Sequence, residues 1–141
     1  MRFWDTSGLI PLLAEEPARE AMLIRLEQDP QMLVWWGTRV EIASALARRE
    51  REGGVAPGDI EQARSAVADL AGVWHEVVPS DLIRRAAERL VRTHPLRAAD
   101  SLQLAAAWAA SGQDPTTLEL VCLDQRLAAV ARREGFPVID A

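Results

Sequence analysis

Lysine is absent from this 141-residue chain: all 16 basic side chains are Arg. A GC-rich coding bias explains that without any function, although the planar guanidinium fork suits phosphate contacts. Cysteine is nearly absent too. A single Cys122 forbids an internal disulfide and fits a reducing compartment. No stretch approaches the roughly 18 apolar residues that a membrane span requires. At the amino end, Met1-Arg2-Phe3-Trp4-Asp5 places an acid where a secretory signal would continue its apolar region. The expected location is therefore the cytoplasm, with no membrane association. Repeats, low-complexity tracts and Ser/Gly linkers are missing. Gly53-Gly54 lacks the pattern of a phosphate-binding loop, and His75 and His94 lack the spacing of a zinc site. Basic excess is also missing: the net charge is −5, which argues against a passive nucleic-acid coat. It leaves room for an enzyme whose acids hold metal ions.

What is present is ordinary for a folded domain, with 49% hydrophobic and 26% charged residues. The length suits one domain over residues 1–141. Short apolar runs at Met1–Trp4, Met32–Trp36, Trp74–Val78, Glu119–Leu123 and Val138–Ile139 alternate with helical patterns. This alternation predicts a three-layer α/β/α domain with a mostly parallel five-stranded sheet. Ser7 reads as the cap of a first helix, and Pro17 as the start of a second. The second helix would offer Ala21, Leu23, Ile24 and Leu26 as its apolar face. Thr38 with Glu41 three residues later has capping-box spacing. Trp35-Trp36 reads as sheet core rather than a base-stacking platform, and Trp74 and Trp108 as core or interface anchors.

Four acids stand out by position. Asp5 and Asp124 directly follow apolar runs, and the carboxyl ends of parallel strands form the ligand crevice of such sheets. Glu41 and Asp100 open helices that can enter the same edge. Converging carboxylates raise one another's pKa, and a divalent cation relieves that repulsion. Oxygen donors with retained waters suit Mg²⁺ or Mn²⁺, which promote attack of water on phosphate. Each acid also has a local explanation. Asp5 could be a turn residue, Glu41 a capping-box partner, Asp100 a helix-dipole partner and Asp124 an N-cap.

The segments Asp5-Thr6-Ser7, Glu41 at a helix start, Arg97-Ala98-Ala99-Asp100-Ser101-Leu102-Gln103-Leu104-Ala105 and Leu123-Asp124-Gln125-Arg126-Leu127 occur in this order. Together they resemble the PIN domain over essentially the whole chain, in particular the VapC-type ribonuclease toxins of toxin–antitoxin pairs. The resemblance implies a Mg²⁺- or Mn²⁺-dependent endoribonuclease acting on transfer or ribosomal RNA. Asp5, Glu41, Asp100 and Asp124 match the family's acidic quartet as catalytic and metal-binding residues. Ser7 matches a hydroxyl that supports the first acid. The implied partners are a VapB-type antitoxin, the RNA substrate and a second copy in a homodimer. The first two helices are the expected surface for antitoxin or dimer. One departure is Cys122, which stands where family members commonly carry Thr or Ser.

Two other classes compete. A non-catalytic PIN-like scaffold that binds RNA or a partner would usually lack one of the acids. A phosphatase with a strand-end Asp nucleophile usually wants a second Asp close by and a Lys, and the chain has neither there.

Overall fold

The computed structural model describes residues 1–141. Its elements run β1 (Arg2–Trp4), α1 (Thr6–Leu13), α2 (Arg19–Gln28), β2 (Met32–Trp35), α3 (Thr38–Glu52) and α4 (Pro57–Ala71). They continue with β3 (His75–Val77), α5 (Asp81–Thr93), α6 (Ala98–Ala110), a short 3₁₀ turn at Pro115–Thr117, β4 (Leu120–Val121), α7 (Gln125–Arg133) and β5 (Val138–Ile139). All four strand pairings are parallel, in the order β3-β2-β1-β4-β5. The chain therefore builds outward from β1 on one side and then crosses to build on the other. The reversal lies between β1 and β4, and such a switch point opens a crevice at the carboxyl ends of its strands.

Successive strand residues point to opposite faces of the sheet, which divides the core in two. Phe3, Trp35 and Leu120 join side chains of α5, α6 and α7 on one face. Trp4, Val34 and Val121 join α1, α3, α4 and Met22 of α2 on the other. Phe3 and Trp4 are both fully buried. Complete burial of a large apolar side chain stabilises by about 1.5–3 kcal/mol, so the central strand is a strong organiser of both layers. A β-carbon on Gly8 would stand 3.0 Å from Val121 Cγ1 and 3.2 Å from the Val121 carbonyl oxygen. The missing side chain thus lets the first turn of α1 press onto β4, next to Asp5. No helix is long and apolar enough to cross a membrane.

Several local expectations change. The cap of α1 is Asp5 rather than Ser7, because the Asp5 carboxylate accepts the Ser7 backbone N–H. Pro17 lies ahead of α2, whose cap is Ala18. The buried residue of α2 is Met22, whereas Leu23 and Ile24 face outward. Packing against α1 chooses that side of a helix whose pattern offered two. Trp35 enters the core, but Trp36 lies in the turn after β2 and is 54% exposed. Strand β3 is an edge strand with His75 and Glu76 exposed, so it departs from the doubly buried strand pattern.

Candidate active site

The carboxyl ends of β1 and β4 bring Asp5 and Asp124 together across the switch point. Glu41 sits in the first turn of α3, and Asp100 in the first turn of α6. All four carboxylates line one open depression of about 500 Å³, with Thr6, Ser7, Ser44 and Arg48 among its other walls. Segments separated by tens of residues thus deliver four acids to one place.

Asp5 is the most enclosed of them, at 4% exposure. Its backbone N–H donates to the Val121 carbonyl at 3.0 Å, which ties it to β4. Its Oδ2 accepts the Ser7 hydroxyl at 2.5 Å and the Ser7 N–H at 3.1 Å. Ser7 Oγ in turn accepts the backbone N–H groups of Leu123 at 2.9 Å and Asp124 at 3.2 Å. One hydroxyl therefore fixes Asp5 to the segment that carries Asp124. Burial pushes the Asp5 carboxyl above its usual range despite the two Ser7 bonds, and the charges of Asp100 and Asp124 push it further.

Glu41 is raised to about 7, chiefly by burial and also by repulsion from Asp5 and Asp100, against hydrogen bonds from Gln103 and Thr6. Burial also raises Asp100, with Asp124 adding to it, while the nearby Arg97 and Arg126 oppose the rise. Asp124 is exposed and caps α7, accepting the Leu127 N–H on Oδ1 at 3.0 Å. Its local role and its place in the cluster are compatible, because the cap bond uses one oxygen.

The capping box expected at Thr38 does not form. Gly37 occupies the cap position with no side-chain bond, and Thr38 is fully buried in the first turn. The Thr38 hydroxyl and the Glu41 carboxylate both turn to Gln103 of α6. Cys122 is fully buried at the end of β4, its Sγ 3.5 Å from the Asp124 carbonyl oxygen, 3.7 Å from Asp5 Oδ2 and 3.8 Å from Ser7 Oγ. Burial and the Asp5 charge push its pKa up, so it stays a thiol. The thiol is a weak hydrogen-bond partner to all three.

Several arginines away from the acids are paired with carboxylates. Arg49 pairs with Glu16, Arg84 with Asp81, and Arg132 with Asp140. Arg48 lines the acidic depression, and Arg97 and Arg126 flank Asp100. His94 caps the end of α5 and meets Glu134 of the α7 cap at 2.8 Å.

No three of the acidic, histidine or cysteine side chains stand together as a ready-made metal cluster. The chemistry of the donor set still suits a hard divalent cation. It is all oxygen, several of the carboxyls are held above their usual pKa, and the cleft is open enough for retained water.

Solved structures place this architecture. A chain of a toxin–antitoxin complex from Klebsiella pneumoniae superposes with a TM-score of 0.66 at 20% identity, covering 99% of this chain and 96% of that one. VapBC2 from Rickettsia felis, bound to a DNA fragment from its promoter, gives 0.69 at 12% identity, with coverages of 98% and 96%. FitAcB from Neisseria gonorrhoeae gives 0.67 at 16% identity, with coverages of 99% and 96%. The chain has a PIN-like fold. No family model and no curated protein matches it. In this PIN-like fold the depression lies at the sheet's carboxyl edge, where the sequence pattern expected it. Beyond the four acids and Ser7, the cleft also draws on Thr6, on Thr38, whose sequence pattern points only to a cap, and on Gln103. A Gln one turn after Asp100 is the sequence signal available for Gln103.

Proposed function

We propose that the chain is the toxin of a toxin–antitoxin pair and a Mg²⁺- or Mn²⁺-dependent endoribonuclease. The observation that carries this reading is the convergence of Asp5, Glu41, Asp100 and Asp124 on one cleft at the switch point. The similarity of the fold to chains of toxin–antitoxin complexes supports it. Asp5 and Asp100 would be direct ligands of the cation, with Glu41 and Asp124 binding directly or through water. An ion bound partly through water would keep several of its own waters, as Mg²⁺ commonly does. When bound, the cation supplies charge neutralisation for the phosphate and lowers the pKa of an attacking water.

The remaining chemistry belongs to the chain. Glu41, half-buried in the first turn of α3 and held by Gln103, would help orient the water that attacks phosphorus as a P–O bond of the RNA breaks. Asp5 is held at one orientation by Ser7, and Arg48, Arg97 and Arg126 are placed to hold phosphates that would otherwise be repelled by four acids. The competing scaffold reading, which binds RNA or a partner without cutting, has no comparable support, since every acid is present. Incubation of total cellular RNA with the purified, partner-free protein tests the choice. Discrete fragments are expected with Mg²⁺ or Mn²⁺ and none with chelator. Intact RNA under both conditions, from folded protein, would favour the scaffold.

The proposed partners are a small antitoxin and a second copy of the chain, in the cytoplasm. A groove of about 400 Å³ among α1, α3 and α4, with Leu12, Leu46 and Ile60 on its walls and Arg19 and Arg49 at its side, could seat an apolar antitoxin segment. Leu23 and Ile24 on α2 extend the exposed apolar surface. Light scattering after size exclusion is expected to give twice the monomer mass. A monomer across a concentration series would contradict the homodimer.

A further inference from the structure

Gln103 is 1% exposed and reaches three elements of the cleft through its amide nitrogen. Nε2 lies 3.0 Å from Thr6 Oγ1, 2.9 Å from Thr38 Oγ1 and 2.8 Å from Glu41 Oε2. Thr6 adjoins Asp5, and Gln103 itself lies one helical turn after Asp100. A single buried amide thus ties together the helix starts that carry three of the four acids. Its other end tells the rest: Oε1 is buried with no hydrogen-bond partner. An unpaired buried carbonyl opposes folding, so stability alone does not explain a glutamine here. The amide has two N–H groups for three acceptors, and the shortest contact is to the charged one. A charge-assisted bond takes precedence over bonds to neutral hydroxyls.

From this we infer that Gln103 is a positioning residue that holds the Glu41 carboxylate in the orientation the cation site requires. The inference rests on the proposed metal-dependent reading of that site. Gln103 would touch neither ion nor RNA and would act through Glu41, as outer partners of metal-binding carboxylates commonly do. The threonines complete the arrangement by filling the space beside the amide, which stops the glutamine from rotating away.

The test is Mn²⁺ binding by the full chain, followed by calorimetry, with thermal melting as the check on folding. The wild type should bind Mn²⁺. Gln103→Met keeps the volume and removes the donor, and is expected to weaken binding about 10–100-fold while leaving the melting temperature nearly unchanged. Gln103→Asn keeps the amide but withdraws it by one methylene, and should weaken binding similarly, which covers a failure of the first variant to fold. Glu41→Gln should also weaken binding, and the double variant Glu41→Gln/Gln103→Met should bind no more weakly than the weaker single one. Wild-type affinity in a folded Gln103 variant, or losses that multiply in the double variant, would overturn the role of Gln103 alone. Absence of Mn²⁺ binding in the wild type itself would overturn the metal reading and this inference with it.

Discussion

Asp5→Asn is expected to reduce RNA cleavage to background and yet to raise the melting temperature of the metal-free protein above neutral pH. The two effects have one origin. Asp5 is buried at 4% exposure, and its carboxyl is raised by burial and by the charges of Asp100 and Asp124. Holding it ionised in the absence of a cation therefore works against folding. Asparagine removes the charge while keeping an oxygen that accepts the Ser7 hydroxyl and N–H, so the cap of α1 and the link to β4 survive. What is lost is the anionic oxygen that a hard cation prefers. A gain of about 1 kcal/mol would raise the melting temperature by a few degrees for a domain of this size. Melts in chelator and cleavage assays with Mn²⁺ check both halves. A large drop in melting temperature would make the Asp5 carboxylate a structural element, and undiminished cleavage would remove it from the site.

The second large effect is the dependence of stability on pH and metal together. Glu41 moves from an ordinary value of 4.5 to about 7 in the folded chain, and Asp5 and Asp100 are raised in the same direction. Between the unfolded and folded values the native state holds more protons than the unfolded one, so stability falls as pH rises. For Glu41 that window runs from 4.5 to about 7. Below it both states are protonated; above it both are ionised, and the full penalty applies. The exposed part of Glu41 weakens its share through solvent screening. The metal-free melting temperature should therefore decline across this window. Bound cation should reverse the decline, since a ligand at 100 times its dissociation constant adds about 2.7 kcal/mol. Protons compete with the cation, so the gain from Mn²⁺ should be larger above pH 7 than near the bottom of the window. A pH-independent melting temperature in chelator, or an equal Mn²⁺ effect at both ends, would contradict the mutual destabilisation of the acids.

Much of this site is legible in the sequence because its acids sit where patterns end. Asp5 and Asp124 terminate apolar runs, and Glu41 and Asp100 begin helices, so a parallel sheet sends all four to one edge. Their supports are less visible. Gln103 lies inside an Ala-rich helix, where pattern alone does not distinguish a buried amide from a solvated one. Only the approach of α1, α3 and α6 supplies its three partners. Thr38 and Glu41 have the spacing of a capping box, but burial of Thr38 turns both side chains toward α6 instead. The same limit explains α2. Leu23 and Ile24 are more hydrophobic than their surroundings, yet Met22 is the residue that α1 and the sheet enclose. Local pattern specifies which segments become helices and strands, while tertiary packing selects the face each buries and the cap each start uses.

The most direct measurement compares the wild type with Asp100→Asn on one RNA cut by the wild type, with the chemistry of the new ends determined. The expected result is cleavage that requires both the divalent cation and Asp100, leaving no 2′,3′-cyclic phosphate because water, not the ribose hydroxyl, attacks phosphorus. Cleavage that persists in Asp100→Asn or in chelator, or ends that carry cyclic phosphate, would contradict a metal-dependent hydrolytic site built from these four acids.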